Sequence, residues 1–530
     1  MALAEAAMIS STILLLLVFY FYVAYRISKN RPVPPIEWPI IRMLPSVVAN
    51  LSKMHDYAAA LLLSELGNTL TARGPASSGM RLVITCDPAN VRHILASSSH
   101  GNYPKGPEFA EIFDVFGGGF FTVDGERWRR ERAKIDGFIR EPRLVASMAS
   151  SCRDKVRDCL LPLLASAAGA GRPVEMRDVA SRLMFDVTAM GVFGVDPGYL
   201  PVSGGPPEMP PAHAAAAIDT VMEVAVFRHV VPASWWKAMR RLNVGPERRL
   251  AAAHAVLLGF ASEMMETRKK KATTTTTHSD AMDITSYYLS DPDHYNADQN
   301  LLRAMLVNFM IAGRDTIGTV LPWFFYSLAT NQHVVAGIRQ ELAPIAAAAA
   351  AASRSRGNDA GAAVMFEPDD TKPLVYLQAA LLEALRLYPP VAMERKTVAA
   401  ADVLPSGHRV WAGDAILVHL YSMGRMESVW GEDCREYRPD RWLTGDGGQQ
   451  KLRHVPSHNF PAFNAGPRMC PGKSIAMTEM KTVAAAVVWN FDVEVAVEGQ
   501  AVEPTMSATL RMKNGLMLKV KKRTYVDAPV

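Results

Sequence analysis

One cysteine, Cys470, combines a residue type and a position that suit chemistry. It lies in the segment FNAGPRMCPG, residues 463–472, and the run KSIAMTEMKTVAAAVVWNF directly after it has helical periodicity. A cysteine before a helix faces unpaired N–H groups, which lower its pKa and favour the thiolate. We therefore predict that the pKa of Cys470 is lowered. We also predict that Pro471 occupies the first helical position and that Arg468 binds an anion. Taken alone, such a cysteine is usually structural or, sometimes, a nucleophile.

A second set of reactive groups interrupts the most apolar run, residues 300–330, which we predict to be a buried helix. Asp315 and Thr316 are adjacent there, and an acid in apolar surroundings costs free energy unless it has a partner. Thr316 can donate a hydrogen bond to the Ala312 carbonyl, and Gly313 leaves space beside it. The pair fits a small oxygen pocket with a proton path, and it fits a core threonine beside a salt-bridged aspartate equally well.

Charged residues at helical spacing form two further candidates. Glu383 and Arg386 are three positions apart near the end of a predicted helix at 374–388, and Trp128 and Arg132 are four positions apart. Each pair therefore shares one face of a helix. Such spacings arise by chance in a chain of 530 residues, so neither pair alone indicates a site.

Together, these segments resemble motifs of the cytochrome P450 family. The pattern Phe-x-x-Gly-x-Arg-x-Cys-x-Gly at 463–472 resembles the haem-binding signature, with every fixed position present. Residues 312–316 (AGRDT) resemble the oxygen-activation motif, 383–386 the Glu-x-x-Arg motif and 439–441 the Pro-x-Arg motif. The motifs occur in the family's order, and the resemblance covers essentially the whole chain. It implies the P450 fold, mainly α with a smaller β part, with haem between the central oxygen-motif helix and the helix after Cys470.

The resemblance also implies roles for individual residues. Cys470 is then the axial thiolate ligand of the iron of haem b, and Asp315 with Thr316 delivers protons for oxygen activation. The residues that contact the haem are Phe463, Arg468, Gly472, Trp128, Arg132 and Lys396. The residues of a buried ion triad that holds the Cys470 loop are Glu383, Arg386 and Arg441. The positions that line the substrate site are Phe116, Phe309, Met310, Val391, Ala392 and Met393.

Several of these assignments keep an alternative. Arg132 and Lys396 fit exposed surface cations nearly as well as haem contacts, and the substrate-lining positions fit the apolar core at least as well. Arg511 fits either a partner for a fatty carboxylate or the surface. Arg314 is a large charge inside the oxygen motif, and we predict that it points away from the haem.

Resemblance to one branch of the family indicates the substrate. The segments at 102–106 (NYPKG), 116–125 (FGGGFFTVDG) and 421–433 (YSMGRMESVWGED) are similar to the plant clan that hydroxylates long-chain fatty acids and alkanes. Within that clan we favour the alkane hydroxylases associated with cuticular wax. Because the sequence has no flavin or nicotinamide fingerprint, we expect electrons from NADPH through NADPH–cytochrome P450 reductase. The alternatives are a haem-thiolate isomerase or dehydratase that does not use O2, which the intact Asp315–Thr316 pair disfavours, and a non-catalytic haem-binding protein.

The first 40 residues predict attachment to a membrane. Residues 8–25 are almost entirely apolar, a length close to the minimum for spanning a bilayer, and three basic residues follow by position 31. We expect an anchor at 1–31, a proline-rich stalk at 32–40 and a monooxygenase domain at 41–530 that faces the cytosol from the endoplasmic reticulum membrane. A cleaved signal peptide or a buried core helix is the alternative.

The composition disfavours other classes of protein. The net charge of +5 is mild and no basic stripe alternates with aromatic residues, so nucleic acid is not an expected partner. The five cysteines are odd in number and lack a CxxC pair, which disfavours a disulfide framework and indicates a reducing compartment. We expect surface insertions at 269–279 and 346–363, either as loops or, for the alanine run of the second, as an extended helix.

Overall fold

Helices dominate the chain in the computed structural model. The residues described are 15–23, 26, 38, 40–64, 67–201, 209–274, 282–290, 299–355, 363–445, 450–497, 499 and 502–523. The helices after residue 40 are α1 Leu44–Ala49, α2 Met54–Leu62, α3 Pro88–Val91, α4 Gly106–Ile112, α5 Gly125–Ile139, α6 Pro142–Lys155, α7 Leu161–Gly169, α8 Met176–Phe193, α9 His213–Val230, α10 Ala233–Leu242, α11 Gly245–Thr274, α12 Ile284–Leu289, α13 Gln299–Thr330, α14 Gln332–Ser355, α15 Pro368–Thr371, α16 Val375–Leu387, α17 Leu420–Met423, α18 Glu427–Trp430 and α19 Lys473–Asn490. The predicted class, mainly α with a smaller β part, is confirmed.

The strands form two larger sheets and two short hairpins. Their bounds are β1 Thr69–Arg73, β2 Arg81–Thr85, β3 Val174–Glu175, β4 Met393–Thr397, β5 Asp402–Val403, β6 Arg409–Val410, β7 Ala415–His419, β8 Leu443–Thr444, β9 Lys451–Leu452, β10 Phe491–Val495 and β11 Met517–Lys522. One sheet has the order β1-β2-β7-β4, with β2 and β7 parallel and the other pairs antiparallel. The second has the order β10-β11-β3. The strands predicted between 397 and 419 are confirmed as the end of β4 together with β5, β6 and β7.

Helix α13 is the element around which the core forms. Its first half, with Met305 and Leu306, belongs to one cluster of buried apolar residues, and its second half, with Leu321, belongs to another. Between them, Gly313 allows α8 to pack closely, because a Cβ at this position would lie 2.6 Å from Cγ2 of Thr188. Gly313 therefore provides the space into which Thr188 of α8 packs. The helices predicted at 300–330 and 374–388 are confirmed as α13 and α16.

The N-terminal prediction lies mostly outside the described residues. Residues 15–23 are helical, whereas 1–14, 24–25 and most of 27–39 are outside that part of the chain. Across the residues that are described, none of the helices combines the length and apolar character needed to cross a membrane. Of the two expected insertions, 269–274 ends α11 and 346–355 continues α14, so the described part of the alanine run extends a helix.

Candidate active site

The Cys470 loop is a tight turn built around Gly466. This glycine has a φ of +65°, and a Cβ here would lie 1.8 Å from the carbonyl oxygen of Leu95, so no other residue fits. The N–H of Cys470 donates to the carbonyl of Phe463 at 2.8 Å and closes the loop. The close approach of the loop to Leu95 therefore determines where the sulfur lies.

Helix α19 begins beyond the position that the sequence suggests. Its first residue is Lys473 and Gly472 is its N-cap residue, so the prediction that Pro471 begins the helix is wrong. The predicted lowering of the thiol pKa is also wrong: burial raises the pKa of Cys470, and the opposing effects of the Gly472 N–H, Arg132 and Lys473 are smaller. Coordination to a bound metal ion would deprotonate this thiol outright.

The sulfur of Cys470 lines a cavity of about 340 Å³, which we call the first cavity. Helix α13 contributes Ala312, Gly313 and Thr316 to the same cavity. Most of the other lining side chains are apolar, among them Phe120, Phe121, Ile135, Phe138, Val192, Ile284, Ile317, Val320, Leu385, Leu420 and Met480. A thiol ligand, apolar walls and arginines beside the loop are the groups that haem b requires, so the residues present fit this cofactor.

Two arginines are fixed at the wall of the first cavity. Arg468 donates to Asp124 Oδ1 at 2.6 Å, and its guanidinium carbon lies 4.6 Å from the ring centroid of Trp128. Arg132 donates to the carbonyl of Met469 at 2.6 Å. Because a guanidinium carries five N–H donors, both retain donors for a cofactor carboxylate. The predicted haem contacts that line the first cavity are Phe463, Arg468, Gly472, Trp128 and Arg132.

The sixth predicted haem contact, Lys396, is not among the residues that line this cavity. It is buried, and burial lowers its pKa to about 8. Its Nζ lies 3.3 Å from Glu394 Oε1, whereas Lys105 Nζ lies 2.8 Å from the same oxygen and does line the cavity. Burial opposes the ionisation of Glu394, but the two lysines outweigh it and lower its pKa to about 2. Lys105 and Glu394 are therefore cavity residues that the motifs did not indicate; the segment at 102–106 was the only signal for Lys105.

The salt bridge that one interpretation of the Asp315–Thr316 pair predicts is present, and Thr316 lines the first cavity. Thr316 donates to the Ala312 carbonyl at 2.8 Å, as predicted. Asp315 is buried and accepts a hydrogen bond from Arg314 at 2.5 Å and one from the hydroxyl of Thr509 at 2.7 Å. The carboxylate is thus held between a salt bridge and a hydroxyl group.

Arg314 and Arg511 share one acidic partner away from the first cavity. Each arginine forms an ion pair with Asp219 Oδ1 at 2.6 Å. All three residues line a small polar pocket of about 50 Å³. Arg314, which we predict to point away from the haem, is not among the residues that line the first cavity. The surface alternative for Arg511 is wrong, because this residue is buried and pairs with Asp219.

The predicted ion triad is present and buried. Glu383 pairs with Arg386 at 2.7 Å and with Arg441 at 2.8 Å, and it accepts a hydrogen bond from the indole N–H of Trp442 at 2.9 Å. The ring of Trp442 lies 4.7 Å from that of Phe460, centroid to centroid. The triad therefore reaches the segment before the Cys470 loop through two aromatic rings.

Comparison with known proteins decides the family. The model of the family described as "Cytochrome P450" matches residues 33–521. This chain belongs to the cytochrome P450 family. As a P450 it is a haem b enzyme of the monooxygenase class, and the predicted resemblance to plant P450s is confirmed.

Several plant P450s are similar along almost the whole chain. Alkane hydroxylase MAH1 of Arabidopsis thaliana is 36% identical, over 96% of this chain and 97% of its own. Noroxomaritidine synthase 1 of Narcissus pseudonarcissus is 37% identical, over 94% and 93%. Cytochrome P450 86B1 of Arabidopsis thaliana is 36% identical, over 97% and 90%. Relatives whose names give different activities are thus about equally similar to this chain, so sequence identity alone does not select a substrate.

A second cavity of about 360 Å³ in this P450 shares part of its wall with the first. The residues that line both cavities are Lys105, Phe121, Ala312, Thr316, Val391 and Glu394. Asp315 and Thr509 also line the second cavity. From there the cavity extends between α1, α2 and the β1–β2 hairpin, where Leu44, Val47 and Pro75 line it.

The predicted substrate-lining residues divide between the two cavities and the core. Phe309 lines the first cavity, Phe116, Ala392 and Met393 line the second, and Val391 lines both. Met310 lines neither cavity and is 2% exposed, packed in the apolar cluster around the first half of α13. Its assignment as a lining residue is therefore wrong.

Proposed function

We propose that this P450 hydroxylates long-chain aliphatic substrates, alkanes or fatty acids, with O2 and with electrons from NADPH. The observation that carries the proposal is the second cavity, whose wall beside Thr316 is mostly apolar. Its apolar residues include Phe109, Phe113, Phe116, Phe121, Met222, Val226, Ile311 and Val391. A saturated chain offers no polar handle, and each buried methylene contributes about 0.8 kcal/mol.

The residues around Thr316 suit proton handling. Haem supplies oxygen activation when it is bound. Thr316 presents a hydroxyl group at the junction of the two cavities, and Asp315 holds a carboxylate one residue away that is bonded to Thr509. The phenylalanines of the second cavity offer apolar contact to a substrate chain. The intact acid–hydroxyl pair favours a reaction that uses O2 over an isomerisation or dehydration.

The partner and the cellular location belong to the same proposal. We infer that NADPH–cytochrome P450 reductase supplies the electrons and that the chain is attached to the endoplasmic reticulum membrane with its catalytic domain in the cytosol. Apolar substrates of this class partition into lipid, which suits an enzyme held at a membrane. The similarity to a protein named alkane hydroxylase supports a role in wax or cuticular lipid metabolism.

Reconstituted turnover tests the proposal. The full chain is combined with lipid, the reductase and NADPH and is offered n-alkanes and fatty acids of increasing length, and products are identified by mass spectrometry. We expect hydroxylated chains together with consumption of NADPH and O2. The Thr316→Val variant is the matched control and should form less product for each NADPH consumed. Product formation without NADPH and O2 consumption would identify an isomerase or dehydratase and overturn the proposal.

A further inference from the structure

Two histidines line the second cavity, His55 and His229, and the one that borders its phenylalanines is His229. It lies in the last turn of α9, and its ring contacts that of Phe113 edge to face with centroids 5.7 Å apart. Nδ1 lies 2.7 Å from the carbonyl oxygen of Ala225. A carbonyl oxygen only accepts, so Nδ1 carries the proton of the neutral ring and Nε2 has a free lone pair. In the part of the chain that the structure describes, Nε2 has no hydrogen-bond partner.

The ring of His229 stays neutral at physiological pH. Burial, helped by the charges of Arg395 and Lys105 and opposed by the hydrogen bond to Ala225, lowers its pKa to about 4. Both cations also line the second cavity, so three nitrogen-bearing side chains border one part of it. An unprotonated Nε2 accepts a hydrogen bond and cannot donate one.

The two neighbouring cations already have acidic partners. Arg395 forms an ion pair with Glu108, and Lys105 pairs with Glu394 at 2.8 Å, a carboxylate that it shares with Lys396. The lone pairs of a further carboxylate would face the lone pair of His229. A hydroxyl group suits the position, because it donates to Nε2 and can accept from a neighbouring cation.

We propose that His229 is a specificity-determining residue that accepts a hydrogen bond from a substrate hydroxyl, so that the second cavity prefers long-chain aliphatic alcohols to alkanes and fatty carboxylates. The inference rests on the proposed oxidation of long aliphatic chains and extends its substrate class to alcohols. An alkane leaves the nitrogen unpaired in an apolar wall, which costs free energy, and an alcohol of equal length does not.

Ligand binding without turnover tests this inference. The haem-loaded full chain is titrated with an n-alkane, the primary alcohol and the carboxylate of one chain length, and dissociation constants come from the optical spin-state change. We expect the alcohol to bind about tenfold more tightly than the alkane, the ratio that one net hydrogen bond produces. His229→Leu should reduce the ratio to about one, and His229→Gln, whose amide oxygen accepts, should restore part of it.

The control variant is Phe113→Leu, which changes the same wall without removing an acceptor. It should weaken all three ligands by similar factors and leave the alcohol-to-alkane ratio unchanged. A wild-type ratio near one, a carboxylate preference or an unchanged ratio in His229→Leu would overturn the inference. If His229→Leu fails to retain haem, the wild-type and His229→Gln ratios decide. Failure of the proposed function is a separate result, namely no oxidation of any aliphatic compound in the turnover assay.

Discussion

The Cys470 loop and the wall of the second cavity are held by different kinds of interaction. The loop is closed by backbone hydrogen bonds, a glycine pressed against the Leu95 carbonyl and a buried ion triad that acts through Trp442. The second cavity is bordered mainly by apolar side chains, which contact one another without directional bonds. Directional bonds specify one position for an atom, whereas apolar contacts tolerate exchange at nearly constant volume. The fold therefore fixes the position of the Cys470 sulfur, whereas the apolar residues of the second cavity can be exchanged to suit different ligands.

The largest expected effect is on the thiolate side. Of the described cysteines, Cys470 is the one that lines a cavity, so Cys470→Ala removes the cavity's thiol. We expect complete loss of the thiolate-type band in the carbon-monoxide difference spectrum of the reduced protein. Cys434→Ala is the control, because Cys434 is buried away from both cavities and should leave the band in place. A thiolate-type band in Cys470→Ala would contradict the assignment of the ligand.

Removing the acid of the triad should produce the next largest effect. Glu383→Gln leaves Arg386 buried without a carboxylate and leaves Arg441 with Asp433 alone, at 3.1 Å. We expect a loss of about 3–5 kcal/mol in the free energy of unfolding, and haem loss at lower denaturant concentration. The control is Asp369→Asn in the exposed pair with Lys372, which should change neither quantity measurably. Equal effects of the two variants would show that the triad does not brace the loop.

The same contrast explains which features the sequence could predict. Cys470, Glu383 and Arg386 stand in motifs whose spacing is local, so their neighbours along the chain are also their neighbours in space. The bond from Thr316 to Ala312 follows from helix geometry alone. The partner of Arg511, by contrast, is Asp219, almost 300 residues away, and no local pattern connects them.

Lining positions were harder to predict because they depend on how each helix is rotated. Adjacent residues of a helix point about 100° apart, so Phe309 enters a cavity while Met310 packs into the core. Lys396 and Lys105 show a similar limit, because both approach Glu394 from different segments and only tertiary packing decides which one lines the cavity. The thiol pKa was predicted incorrectly because the sequence does not reveal how deeply the sulfur is buried.

A matched pair of variants tests the assignment of Met310 to the packed core and of Phe116 to the lining of the second cavity. Met310→Ala should lower the free energy of unfolding by about 2–5 kcal/mol, because it leaves a void in a packed cluster. It should not change the relative KM values for chains of different length. Phe116→Ala should shift those relative KM values several-fold, because its ring lines the second cavity. A change in chain-length preference with Met310→Ala alone would reverse the two assignments.

The smallest expected effect is on the pH dependence of the free energy of unfolding, which should have opposite signs for one residue of the first cavity and one residue of the second. Glu479 lines the first cavity, and burial raises its pKa from 4.5 to about 8. Between these values the folded chain holds one proton more than the unfolded chain, so stability falls by about 1.4 kcal/mol for each pH unit of increase. His55 lines the second cavity, and burial lowers its pKa from 6.5 to about 4, so stability rises with pH over that window.

Denaturant unfolding of the haem-loaded protein at several pH values separates the two contributions. From pH 6 to pH 7, Glu479→Gln should gain about 1.4 kcal/mol relative to the wild type, because the amide does not ionise. His55→Gln should instead change the slope only below about pH 6.5, where the unfolded imidazole binds a proton that the folded one does not. If Glu479→Gln follows the wild-type curve between pH 6 and pH 7, the carboxyl is already ionised in the folded protein. The apolar surroundings of Cys470 would then not extend as far as Glu479. The part of the first cavity near Glu479 would resemble the second cavity more than it resembles the Cys470 loop.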